Sequence, residues 1–324
     1  MEIILRNTIK KTIVYDTYWH FAFERQKIFW NRYYQKNNAT TDTILKKYKF
    51  TNTYRVNDRV SQFLLRHIIY DGTHNEEDLL FRILLFKIFN KIETWQGLTE
   101  LLGEIRYSTY NIDRYKRAFE ELSSNNKIYS GAYIMPSGKS QFGHAIKYEN
   151  HLDLLHYMMK DKILNKISKC NRLEDLYHTL LTYPTLGRFL AYQYSIDINY
   201  SDLADFDEME FVVAGPGACS GIEKCFYDTG AYSKEDIIKY MSWHQKEEFE
   251  KRNLPFINLG GRDLQLIDCQ NLFCEIDKYA RVKHPEFTDK KGRKRIKQLY
   301  RPNNTIIQYM YPPKWKIHIA TSSM

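Results

Sequence analysis

No two of the five cysteines (Cys170, Cys219, Cys225, Cys269 and Cys274) stand in a Cys-x-x-Cys pair. That removes the usual ligand spacing of structural zinc sites and iron–sulfur clusters, so no metal is expected. The odd cysteine number and the lack of a signal-peptide pattern point to a reducing cytoplasm rather than a disulfide framework. No stretch is long and apolar enough to cross a membrane, and no internal repeat is visible. A complete phosphate-binding loop is missing too. Ser137-Gly-Lys-Ser140 ends like one, but such a loop needs glycine five residues before Gly138, and position 133 is Tyr. The sequence therefore reads against a P-loop kinase, and no cofactor is expected.

What remains is a globular, basic chain. Hydrophobic residues make up 43% of the 324, enough for real cores in two domains or in one two-lobed domain. A formal charge of +9 and a pI of about 9.0 favour a polyanionic partner. Basic residues concentrate late, with eight Lys and Arg against two acidic residues over 283–301. Arg293 and Arg295 are candidates there for a DNA-backbone arm, with a solvated loop as the plainer alternative.

Apolar periodicity predicts helices over 17–36, 76–91, 93–104, 111–125, 151–169, 172–182, 186–196 and 233–251. The last opens with Ser233 and Asp236 as a capping box. Another helix starts near Asn52 and places Arg55, Arg59, Gln62 and Arg66 in one polar stripe. Such a stripe is usually a solvated face. Lining a cleft, Asn52, Arg55, Arg59 and Gln62 would suit phosphates and base edges. Residues 127–149 read as a small β-hairpin.

Two later stretches carry more chemistry. Phe211-Val-Val-Ala-Gly-Pro-Gly217 reads as a helix end and a tight turn, with a new helix starting near Ser220. Unpaired N–H groups at such a start bind anions, which makes Gly215, Gly217, Ser220, Gly221 and Lys224 candidate DNA-backbone contacts. Leu264-Gln-Leu-Ile-Asp268 is an apolar run ending at the mouth of an amphipathic helix, whose buried face is Leu272, Phe273, Ile276, Tyr279 and Ala280. By itself Asp268 could be no more than that helix's N-cap.

Together these stretches resemble the helix-hairpin-helix DNA glycosylase superfamily. There a Pro-Gly hairpin grips the DNA backbone and a later carboxylate capping a helix does the chemistry. A narrower resemblance rests on Phe23-Glu-Arg25 with Trp30 and Arg32, Tyr48 to Gln62, Phe81 to Asn90, Pro184 to Gln193, Val213-Ala-Gly-Pro-Gly217 and Cys274-Glu-Ile-Asp-Lys-Tyr279. These look like the helical domain named after phage 5-hydroxymethyluracil DNA kinases, over residues 17–282, followed by a basic extension at 283–324.

The resemblance implies a mainly α, two-lobed, helix-hairpin-helix DNA glycosylase-like fold with a small β-hairpin insertion. The partner it implies is double-stranded DNA carrying modified pyrimidines, and a monomer is expected. Its leading functional reading is a DNA glycosylase of phage defence. A bulky 5-modified pyrimidine would be flipped out, and Asp268 would assist cleavage of its glycosidic bond without cutting the strand. Asp236 is the rival carboxylate. Gln193, Gln270, Asn271, Glu275 and Lys278 join the Asn52–Gln62 stripe as pocket candidates. Two other readings stay open. One is a transferase that replaces a phosphorylated 5-hydroxymethyl group in DNA with an amine; the other is a non-catalytic module that binds modified DNA.

Overall fold

The computed structural model describes residues 9–36, 40–287, 292–302 and 308–319. Contacts divide the chain into two units, one of residues 1–58, 208–309 and 315–324, the other of 59–207 and 310–314. The first unit opens with a two-residue strand β1 (Lys10–Lys11), the long helix α1 (Ile13–Tyr33) and the short α2 (Thr43–Lys47). The Thr12 hydroxyl caps α1 by accepting the Val14 N–H. Tyr15, Tyr18, Trp19, Ala22, Gln26, Phe29 and Trp30 recur on it at helical spacing, and all are buried.

The second unit holds α3 (Arg59–Leu64), α4 (Glu76–Phe89), α5 (Ile92–Leu102), α6 (Ile112–Asn125), α7 (Lys139–Phe142), α8 (Lys147–Lys160), α9 (Ile163–Ile167), α10 (Leu173–Leu181) and α11 (Arg188–Asn199). The chain returns to the first unit with α12 (Pro216–Cys225), β2 (Phe226–Asp228), α13 (Lys234–Trp243), α14 (Gln245–Glu250) and α15 (Leu266–Lys283). Strands β1 and β2 pair antiparallel, the only sheet among the described residues. The fold is mainly helical, as expected, and no helix among the described residues is long and apolar enough to cross a membrane.

Helix α15 is the axis of the first unit. Its Phe273 ring lies 4.8 Å from Tyr18, and Trp19 packs edge-on against both Tyr18 and Phe249 at 5.0 Å. Each such side chain taken fully out of water contributes about 1.5–3 kcal/mol. On its other side α15 meets α12 almost backbone to backbone. A Cβ on Gly221 would stand 1.9 Å from the Phe273 carbonyl oxygen, and one on Gly217 would stand 2.8 Å from Cys274 Sγ. Two glycines one turn apart are what this approach requires.

Three local expectations are corrected. Phe211 to Gly215 is not helical. Helix α12 begins at Pro216 with Gly215 as its cap, so the stretch is not two helices joined by a tight turn. Proline suits the first helical position, where its missing N–H costs nothing. No β-hairpin forms over 127–149. Instead His151 of α8 holds that segment, with Nδ1 2.8 Å from the Tyr129 hydroxyl and Nε2 2.7 Å from the Pro136 carbonyl. Positive φ at Tyr133 and Gly138, and the absent N–H of Pro136, prevent a regular ladder. The helix expected from Asn52 is broken into a 3-10 turn at Arg55–Asn57, then α3, then a π turn at Leu65–Ile69. The Ser233–Asp236 capping box, by contrast, is present as read.

The stretch after α15 folds back on the first unit. Leu299 bridges Tyr48 in antiparallel fashion, with Lys49 N–H donating to Gln298 O and Tyr300 N–H to Lys47 O, both at 3.0 Å. Lys290 and Lys291 of the basic run, and residues 303–307, lie outside the described residues.

Candidate functional site

The segment Phe50–Asp58 is strapped across the first unit by side chains from α1 and α15. Arg25 Nε donates to Thr51 O at 2.9 Å and its Nη2 to Asn52 Oδ1 at 3.2 Å. Glu275 Oε2 accepts Thr51 N–H at 3.1 Å and pairs with Lys278 at 2.7 Å. Asn52 N–H donates to Asp58 at 2.8 Å, and its side-chain amide to Asn57 O at 2.8 Å. The motif stretches around 23–25, 48–62 and 274–279 thus meet in space, each supplying what the others' backbones need.

Asp268 completes the strap. It is the third residue of α15, not its cap: Gln265 is the cap, and Asp268 Oδ2 accepts Gln265 N–H at 3.0 Å. Its Oδ1 accepts Arg55 N–H at 2.7 Å. The residue is 4% exposed. Burial pushes its carboxyl up to about 7, against the downward pull of the two N–H donors. Burial likewise pushes Asp58 up to about 6. Both oxygens of Asp268 are engaged by backbone, so its evident work is to position the 51–58 segment on α15.

Next to this helix start lies an open cleft of about 510 Å³, lined by Met209, Gly260, Gly261, Arg262, Asp263, Gln265, Trp315 and Ile317. The Arg262 guanidinium stacks over the Trp315 ring at 3.8 Å and pairs with Glu208 at 3.2 Å. Tyr54 of the strapped segment donates its hydroxyl to Arg262 O at 2.7 Å. Asp263 is held by Lys246 at 2.9 Å and Asn258 at 3.1 Å. Gly260 and Gly261 take φ of +58 and +91, and a Cβ on Gly260 would come within 2.8 Å of Ile317. An indole face, a guanidinium, an amide and a carboxylate around one opening are groups that stack on and hydrogen-bond a nucleobase. Sequence reasoning missed Arg262 and Trp315. The adjacent Gly260-Gly261 pair was the one available signal; nothing local marks Trp315.

The remaining candidates scatter. Arg55 is buried in the first unit, while Arg59 belongs to the second, 58% exposed and 3.7 Å from Glu93. Gln62 is buried and bonds the Met310 backbone in both directions, at 3.0 and 2.8 Å. The expected single polar stripe is therefore not formed, because the helix that would carry it breaks at Asp58. Gln193 is fully buried in α11. Gln270 Nε2 lies 3.2 Å from Cys274 Sγ, and Asn271 Nδ2 is buried with no partner among the described residues. Gly217 and Gly221 are occupied by helix packing, whereas Ser220, Lys224 and Arg293 converge on Asp277. Arg295 is exposed, its carbonyl accepting from Arg281 at 3.2 Å.

Over residues 12–289 the chain matches the family described as 5-hmdU DNA kinase, helical domain. The chain belongs to this family. A 5-hmdU DNA kinase of Bacillus phage SP10 is 26% identical over 289 residues, which cover 82% of this chain and 45% of that protein. The chain thus spans less than half the length of that relative. No solved structure matches significantly. The glycosylase expectation is corrected by these findings: the family and its phage relative are named for a kinase, which adds phosphate to its substrate and leaves the base on its sugar.

Proposed function

We propose that this chain engages DNA carrying 5-hydroxymethyluracil and presents that base for phosphoryl transfer to its hydroxymethyl oxygen. The observation that carries this reading is the family match across residues 12–289. The phage relative's name supports the same substrate, and the +9 charge supports a nucleic-acid partner. Within the chain, the Arg262–Trp315 cleft is the place we assign to the modified base, with Gln265 and Asp263 at its edge. Asp268 and Glu275 serve as positioning residues that hold Tyr54, and through it the cleft wall. In the transfer, the hydroxymethyl oxygen bonds to the phosphorus of a nucleotide donor, the bond to the donor's leaving oxygen breaks, and the hydroxyl proton is released.

A second reading, exchange of a phosphate already on the base for an amine, is favoured by one observation. Ser137–Ser140 forms the start of the four-residue α7 and sits in no strand–loop–helix context that could cradle a nucleotide. One experiment separates the readings. Duplexes carrying thymine, 5-hydroxymethyluracil or its phosphate are incubated with the protein, ATP and amines, and the nucleosides are weighed by mass spectrometry. A gain of one phosphate on 5-hydroxymethyluracil supports the proposal, and loss of phosphate with gain of amine supports the second reading. No product, with equal binding of modified and unmodified duplexes, overturns both.

A further inference from the structure

Away from the cleft, three cations gather on one carboxylate. Lys224 of α12 and Asp277 of α15 are each 2% exposed in their side chains, with Lys224 Nζ 3.0 Å from Oδ1 and 2.9 Å from the Asp277 carbonyl. That pair is neutral within itself. Arg281, one turn further along α15, donates to Asp277 Oδ2, and Arg293, from the stretch after α15, approaches the same oxygen at 3.3 Å. Arg293 also donates to Ser220 Oγ at 3.1 Å. Two guanidinium charges are therefore left over around a carboxylate already neutralised by lysine. The Arg281 side chain is 9% exposed, and its Nε is buried with no partner among the described residues. Arg293, at 38% exposure, opens the cluster to solvent.

An excess of buried positive charge with an unanswered donor is stable only at a cost, which an incoming anion removes. Guanidinium forks match the two free oxygens of a phosphodiester better than any carboxylate or chloride. We infer that Arg281 and Arg293, seated on the Lys224–Asp277 pair with Ser220 beside them, form a phosphate site that takes the backbone of duplex DNA. The inference rests on the proposed DNA-engaging function and supplies that function with a contact that does not depend on sequence. The same chemistry would admit free phosphate, so the test must tell the two apart.

Binding of an unmodified and a 5-hydroxymethyluracil duplex is followed by fluorescence anisotropy from low to moderate salt, for the wild type, Arg293→Gln and Arg281→Gln. Thermal melting is recorded with and without inorganic phosphate. With the site on the backbone, Arg293→Gln weakens both duplexes equally, and the slope of log K against log salt falls in magnitude by about 0.9 for the phosphate lost. Arg281→Gln, where it stays folded, does the same. An unchanged slope in a variant that melts like the wild type overturns the inference. So does phosphate-dependent stabilisation that vanishes in Arg293→Gln while the DNA slope stays put, which assigns the site to free phosphate. A slope loss without preference for the modified duplex sustains the backbone site and counts only against the proposed substrate. Failure of the wild type to bind either duplex overturns both.

Discussion

Asp268 and Glu275, two turns apart on α15, each accept a backbone N–H from the same short segment, Arg55 at 2.7 Å and Thr51 at 3.1 Å. One helix face thereby sets the course of residues 51–55, and through Tyr54 it reaches the wall of the Arg262–Trp315 cleft. Four predictions test this arrangement.

The first concerns pH. Asp268 is raised from 3.8 to about 7, and Asp58 to about 6. The folded protein therefore keeps protons that the unfolded chain releases near pH 4. Stability from these two groups is fully present below pH 4 and declines as pH rises toward 7. Urea midpoints should be higher at pH 5.5 than at pH 8. Asp268→Asn should flatten that dependence; a profile parallel to the wild type would show that Asp268 is not its source.

Removing the other half of the clamp should act locally. Glu275→Ala strands the buried Thr51 N–H and leaves Lys278 without its partner, at an expected cost of about 1–3 kcal/mol. Amide hydrogen exchange at Thr51 should speed up more than exchange in the second unit. Uniform acceleration everywhere would mean that the bond has no local role.

Helix packing makes Gly221 the least replaceable of the α12 glycines. Gly221→Ala drives a methyl group into the Phe273 carbonyl, which only separation of the helices can relieve, and should cost about 3 kcal/mol. Gly217→Ala meets the smaller obstacle of Cys274 Sγ and should cost less. Melting temperatures of the two variants check the order.

For the cleft, Trp315→Ala should remove the stacking face and reduce discrimination between 5-hydroxymethyluracil and thymine duplexes by about tenfold, the lower range of a base–aromatic stack. Arg262→Lys keeps the charge but loses the planar fork over the ring, so it should lie between Ala and wild type. Retained discrimination in Trp315→Ala would remove the cleft from the reading.

Much of the helical framework was legible in the sequence. Helices at 76–89, 112–125 and 173–181 lie within two residues of where apolar spacing put them, and Ser233 with Asp236 closes its box as read. These features depend on neighbours three or four residues away, so a short window holds all the physics needed. The motif residues that carry the family resemblance were also visible as a set, though not the reason they belong together.

Tertiary structure alone decided the rest. Asp268 looked like a cap with spare reactivity, but its Oδ1 partner, the Arg55 N–H, lies 213 residues away. The stretch at 127–149 had strand-like composition, yet a histidine on α8 supplied hydrogen bonds that a ladder would otherwise have made. Arg262 and Trp315 meet only because the chain returns to the first unit after residue 314. Local pattern determines which segments coil into helices. Which buried N–H, carboxylate or ring finds which partner is settled by packing, since each buried polar group takes the acceptor or donor that the assembled core brings within reach.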